Sequence, residues 1–180
     1  MAMRPTLEQD ELHCKFLWGF DGEVAWCDDL STKPFDVDFK ADRMPPLPPK
    51  VRLYIYNATH PPGGRTDGEH KIQLIVPGQG RGERASFAHA EGRVTLLIGY
   101  EPELEVFILW DAGMYPDFSY SRNVQVRAET VYTAFAGDIG LQRRHIRGQG
   151  VETVVTARAP RLREALIMRE ALTIERLLGG

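Results

Sequence analysis

The two most apolar stretches of the chain, Val94-Thr-Leu-Leu-Ile-Gly-Tyr100 and Leu104-Glu-Val-Phe-Ile-Leu-Trp110, flank Glu101-Pro102-Glu103. Short runs of this kind, joined by a proline turn, read as two buried strands. Neither is long enough to cross a bilayer. The whole reads as an α+β fold: a mixed, largely antiparallel sheet with a hairpin-rich first half, a few helices and a C-terminal helix. At 180 residues the chain suits one domain over 1–180, with residues 1–50 as an N-terminal extension ending in a Pro-rich connector.

Residues 1–13 are polar and acidic and suit a short helix after Pro5, with Thr6 as its cap. Cys14–Trp18 and Glu23–Cys27 read as short strands around the turn Gly19-Phe20-Asp21-Gly22, and residues 28–42 as an acidic, irregular stretch. Met44-Pro-Pro-Leu-Pro-Pro-Lys50 is too proline-rich for a helix or central strand; it is either a stiff connector or a ligand for a proline-reading domain. Val51–Tyr56 and Lys71–Val76 read as a hairpin whose long tip begins at Asn57. The glycine-rich loop Pro77–Arg84 suits a phosphate cradle or a plain flexible loop, and it lacks the spacing of a nucleotide-binding fingerprint. Val124–Arg127 is a short strand, Ala128–Ala136 a helix and Val151–Ala157 a strand. The final helix runs to Leu178 with apolar residues beyond a single stripe. Such a helix suits cover on both sides, by further protein or by a second copy in a homodimer.

The formal net charge is -3, and the charge is uneven. Residues 1–50 carry ten acids against six Lys/Arg, whereas between Tyr115 and Arg163 there are eight arginines against four acids. That pattern suggests a local basic face on an acidic protein. Beyond residue 50 the only lysine is Lys71, so the cation there is almost wholly guanidinium, the group suited to bidentate phosphate contact. Two cysteines and no charged-then-apolar leader imply a reduced, cytoplasmic protein with no membrane partner.

Trp110–Arg127 is the stretch richest in binding chemistry. Tyr115, Pro116, Phe118 and Tyr120 place aromatic and apolar area in a turn, where small polar groups are usual. Ser119, Ser121, Arg122, Asn123 and Gln125 then add hydroxyls, a cation and paired amides. The mixture suits a nucleic-acid surface on which Arg holds phosphate, amides read base edges and rings stack. The alternative is a hydrophobic corner, with Tyr115 and Phe118 plugging the core. Gln142-Arg-Arg-His-Ile-Arg147 is the densest basic patch, and Arg143, Arg144 and His145 are expected to support the nucleic-acid backbone.

Catalysis finds little support. His13, His60, His70, His89 and His145 show no metal-ligand spacing, so neither a metal nor a cofactor is expected. Glu69-His70-Lys71 matches half of a metal-dependent nuclease core, with Asp42 or Asp67 as the missing carboxylate. That leaves a nuclease as one alternative, a general or modified-base DNA-binding domain as a second, and a protein-interaction module working through the proline segment as a third.

Three segments together resemble a known family: Val51–Arg65; Glu69–Leu74 with Pro77-Gly-Gln79; and Leu97–Ala112 leading into Tyr115-Pro116 and Phe118–Val126. The chain is similar, over roughly residues 51–166, to the sulfur-binding domain of phosphorothioate-dependent type IV restriction endonucleases. The resemblance implies a reader of double-stranded DNA in which sulfur replaces one phosphate oxygen. It implies no catalytic residue here, the cut falling to an HNH nuclease domain, fused or associated. It places the sulfur cup at Tyr115, Pro116 and Ser119, with serine standing where the family pattern has alanine, and a phosphate-binding arginine at Arg84, beside Arg81 of the glycine-rich loop.

Overall fold

The computed structural model describes residues 6–60 and 68–179. Helix α1 (Gln9–Trp18) is followed by strands β1 (Val24–Cys27), β2 (Phe35–Phe39), β3 (Lys50–Asn57), β4 (Glu69–Leu74), β5 (Arg84–Ala85), β6 (Val94–Glu101) and β7 (Val106–Trp110). Next come β8 (Phe118–Ser119), β9 (Arg122–Arg127), helix α2 (Ala128–Phe135), strands β10 (Gly140–Ile146) and β11 (Gly150–Arg158), and helix α3 (Leu162–Leu177). The class is α+β with a mixed, largely antiparallel main sheet, as the sequence indicates.

That sheet has seven strands in the order β1-β2-β3-β6-β7-β11-β10. β3 and β6 run parallel at its centre, and its other neighbours are antiparallel. β6 and β7 form the expected buried pair. Their alternate residues feed two cores: Ile98, Tyr100, Phe107 and Leu109 face one side, Leu97, Val106, Ile108 and Trp110 the other. Helices α1 and α3 close the first side through Leu12, Phe16, Leu162, Ala165 and Leu166. Across the sheet lie a two-stranded ribbon β4–β9, a shorter ladder β5–β8 and helix α2. Gly99 permits close approach there, since a Cβ on it would lie 2.9 Å from both Ile72 and the Trp110 ring.

Several sequence expectations change. The stretch 14–18 is the end of α1, because Leu12 and Phe16, four apart, share the face that enters the core. Its N-terminus is set by Glu8, whose N–H donates to the Glu11 carboxylate at 2.7 Å, and not by Thr6. The acidic stretch contains β2, with Phe35, Val37 and Phe39 inward. Its Asp36 takes a two-pronged contact from Arg52 at 2.8 and 2.9 Å. Residues before 50 therefore contribute α1, β1 and β2 to the same sheet and core. The proline segment links β2 to β3 with Leu47 buried.

β3 does not form a hairpin with β4. It buries Leu53 and Ile55 on one face and Tyr54 and Tyr56 on the other, which requires a central position. β4 alternates buried and more exposed residues, the pattern of an outer layer, and it pairs with β9. One bridge, Thr59 with Lys71, joins the two limbs; the expected tip lies mostly outside the described residues. The helix α3 packs one side on the sheet, while Ile174, Leu177 and Leu178 are exposed. No helix among the described residues is long and apolar enough to cross a membrane.

Candidate nucleic-acid interface

The chain leaves β7 at Trp110 into a single 3-10 turn, Ala112–Met114, which Asp111 caps by accepting the Gly113 N–H at 3.0 Å. Tyr115 follows and turns inward: it is 1% exposed, and its hydroxyl donates to Glu152 Oε1 at 2.8 Å. The other oxygen of Glu152 accepts the Asp111 N–H at 3.0 Å, and Arg144 Nε stands 3.5 Å from Oε1. Asp111 in turn holds Arg176 at 2.6 Å, with Arg169 at 3.7 Å. Burial, reinforced by the Glu152 charge, lifts the Tyr115 phenol well above its usual range, so it remains a donor. Burial likewise pushes the Glu152 carboxyl up, against the pull of the Tyr115 hydrogen bond and Arg144.

Phe118 is also fully buried, packed on Phe87 with ring centroids 5.0 Å apart. Of the two readings left open by the sequence, the hydrophobic corner therefore holds for Tyr115 and Phe118. Both form a floor. Above it Pro116, Asp117 and Ser119 are exposed, and Tyr120, Ser121 and Arg122 are half-buried. Arg122 lies over the Tyr115 ring at 5.0 Å, a cation–π arrangement. The β5–β8 ladder sets Arg84 opposite Ser119. The Arg84 side chain is largely exposed and holds Asp117 at 2.6 Å.

The glycine-rich loop is tied to the same corner. Gln79 donates to the carbonyls of Glu83, at 3.1 Å, and Phe118, at 3.5 Å, while its own oxygen accepts the Val76 N–H at 3.2 Å. The Gly80 N–H is taken by the Glu83 carboxylate at 2.8 Å, so the loop spends on itself a donor that an anion cradle would need. Arg81 stands exposed at its tip.

The ribbon adjoins this corner. Ile72, Leu74, Val124 and Val126 point inward, so the intervening residues form its outer face. Those residues are paired in register: Gln73 with Asn123, Lys71 with Gln125, Glu69 with Arg127. The ribbon is bolted to the sheet through main-chain groups of β9. The Gln125 carbonyl accepts from Trp110 Nε1 at 3.1 Å and from Arg144, and the Arg127 N–H donates to Gln142 at 2.8 Å.

The basic face expected from the count of arginines does not gather. Arg158, Arg161 and Arg163 are paired with Glu105, Glu164 and Glu23 at 2.8 to 3.0 Å. The patch at 142–147 belongs largely to edge strand β10, whose alternation divides it. Gln142 and Arg144 face the ribbon, whereas Arg143 and His145 share the opposite sheet face with their neighbours Thr153 and Val151. Pro116, Ser119, Arg122 and Arg84 thus come together, Asn123 and Gln125 extend from them along β9, and Arg143 stands apart, while His145 borders a pocket with Glu69, Gln125, Arg127, Gln142 and Arg144. Asp42 lies in the irregular β2–β3 connection, and Asp67 lies outside the described residues. No cluster of three His, Cys, Asp or Glu side chains suited to a metal occurs among the described residues. The sequence reading missed Glu152, Gln79 and Gln73. Glu152 had one visible signal, a lone acid entering the apolar run of β11.

No curated protein and no solved structure matches the chain. Residues 49–166 match the model of a family described as methylase-associated X1, nearly the span of the resemblance drawn from the sequence. On that match, the chain belongs to the methylase-associated X1 family.

Proposed function

We propose that this domain reads double-stranded DNA carrying a phosphorothioate linkage, as the recognition part of a restriction-modification system. The reading rests on one arrangement: Pro116 and Ser119 are exposed above a floor of Tyr115 and Phe118, with Arg84 opposite Ser119 and Arg122 stacked on Tyr115. Sulfur is larger, softer and less strongly hydrated than oxygen, so it gains from contact with the exposed Pro116 ring, which the buried Tyr115 and Phe118 hold in place from below. Arg84 and Arg122 hold the charge that remains on the linkage. Ser119 offers the sulfur its methylene or its hydroxyl, and the hydroxyl favours oxygen. The family's association with methylases fits a system that separates marked from unmarked DNA. Cleavage is assigned to an HNH nuclease, fused or associated, and not to this domain.

The test is binding to two duplexes identical except for one phosphorothioate linkage, at physiological salt. The expected outcome is a sulfur preference of about tenfold or more. Pro116→Ala should shrink that preference and Ser119→Ala should widen it. Equal affinity for both duplexes would sink the sulfur reading. The methylase association also favours a second reading, recognition of a methylated base. A duplex with methylated bases and no sulfur, run in the same assay, separates the two. Mg²⁺-dependent cleavage lost in Glu69→Ala would instead favour the nuclease.

A further inference from the structure

We propose that the β4–β9 ribbon is the element that reads base sequence, and that it reads outward from the sulfur site in a fixed order. This deepens the DNA-reading function and rests on it. The ribbon is a separate outer layer, hydrogen-bonded as its own two-stranded sheet over one face of the seven-stranded sheet. Its inner residues Ile72, Leu74, Val124 and Val126 are at most 1% exposed. Its outer residues carry only amides and charges: Gln73 and Asn123, Lys71 and Gln125, Glu69 and Arg127. A two-stranded ribbon fits the DNA major groove, where Asn or Gln pairs with adenine and Lys or Arg with guanine. Successive outward pairs on a strand recur about every 6.8 Å, close to two base-pair steps of about 3.4 Å each.

Direction follows from which end meets the sulfur site. At Leu74 and Arg122 the two strands run into the glycine-rich loop and the 116–121 turn, and Gln79 ties that loop to the Phe118 carbonyl. Gln73 and Asn123 are therefore the outward pair nearest the sulfur, Lys71 and Gln125 the next, and Glu69 and Arg127 the farthest. The hold of Trp110 and Arg144 on the Gln125 carbonyl and of Gln142 on the Arg127 N–H fixes the ribbon before DNA arrives.

The experiment is selection from a duplex library that carries one phosphorothioate and random bases on both sides, with wild type and two double variants. Q73A/N123A should flatten the base preference at the positions nearest the linkage. K71A/Q125A should flatten the preference about two base pairs farther out, each by about tenfold. Base profiles unchanged in both variants, or altered at the same positions, would overturn the inference. A wild type that prefers sulfur while the ribbon variants keep its base profile defeats the ribbon alone. A wild type indifferent to sulfur, whose base profile the ribbon variants still flatten in order, defeats the sulfur reading alone, and a wild type that binds no DNA defeats both.

Discussion

The two faces of the central sheet are closed by different means. On one, α1 and α3 lay aliphatic and phenylalanine side chains on the strands, with ion pairs such as Arg163–Glu23 at the margin. On the other, large aromatics lie under short strands and loops, and each polar tip grips one segment. The Tyr54 hydroxyl accepts the Ala88 N–H at 2.8 Å, and Tyr56 donates to the Ile75 carbonyl at 3.0 Å. Trp110 reaches Gln125 at 3.1 Å, and Tyr115 reaches Glu152 at 2.8 Å. Apolar burial has no direction, so it can hold a helix that satisfies its own backbone but cannot place a loop. A binding surface built from loops needs these directional anchors.

The comparison is tested first where the two faces should agree. Phe16→Ala and Trp110→Ala each remove a large, fully buried ring and should cost about 3–5 kcal/mol in urea unfolding. A small loss in either would mean that one face is dispensable. The faces should then diverge. Tyr115→Phe keeps the ring but removes the hydroxyl donor from Glu152 Oε1, a cost of about 1–3 kcal/mol together with weakened DNA binding. Unchanged stability would show that the polar tip places nothing.

The smallest expected effect belongs to the helical face. His13 is buried, stacked on Phe35 at 4.1 Å, with Nδ1 2.7 Å from the Leu30 carbonyl. Desolvation lowers its pKa below the ordinary value of 6.5. The folded state therefore prefers the neutral ring. Its contribution to stability is complete above pH 6.5 and is lost as pH falls toward and through the lowered folded value. Thermal unfolding followed downward from pH 7 should show a small decline in stability that flattens in His13→Phe. An equal slope in the variant would place the pH dependence elsewhere.

What the sequence made legible was local. The β6–β7 pair could be read because both strands and their turn lie in one run, and α2 and α3 because helical spacing is local too. The partner of β3 could not, since parallel pairing joins segments some forty residues apart and leaves no periodic trace. Cys14–Trp18 looked like a strand because its aromatics precede a glycine turn, and the face that makes it helical includes Leu12 upstream. At the candidate interface, residue types suggested binding chemistry but not orientation. Whether Tyr115 points in or out is decided by Glu152, 37 positions away, and the separation of Arg143 from Arg144 by the pleat of β10.

The parallel pair β3–β6 has a consequence for how such a domain could change. Among the described residues between β3 and β6 no strand joins the main sheet, so β4, β5 and the glycine-rich loop all belong to one crossover between its central strands. β8 and β9 occupy a second excursion, between β7 and α2. Loop-closure entropy grows only slowly with length, so either excursion can be rebuilt while the seven strands keep their register. Under the proposed DNA-reading function, the outward residues of both excursions can therefore change specificity while their buried residues keep the core.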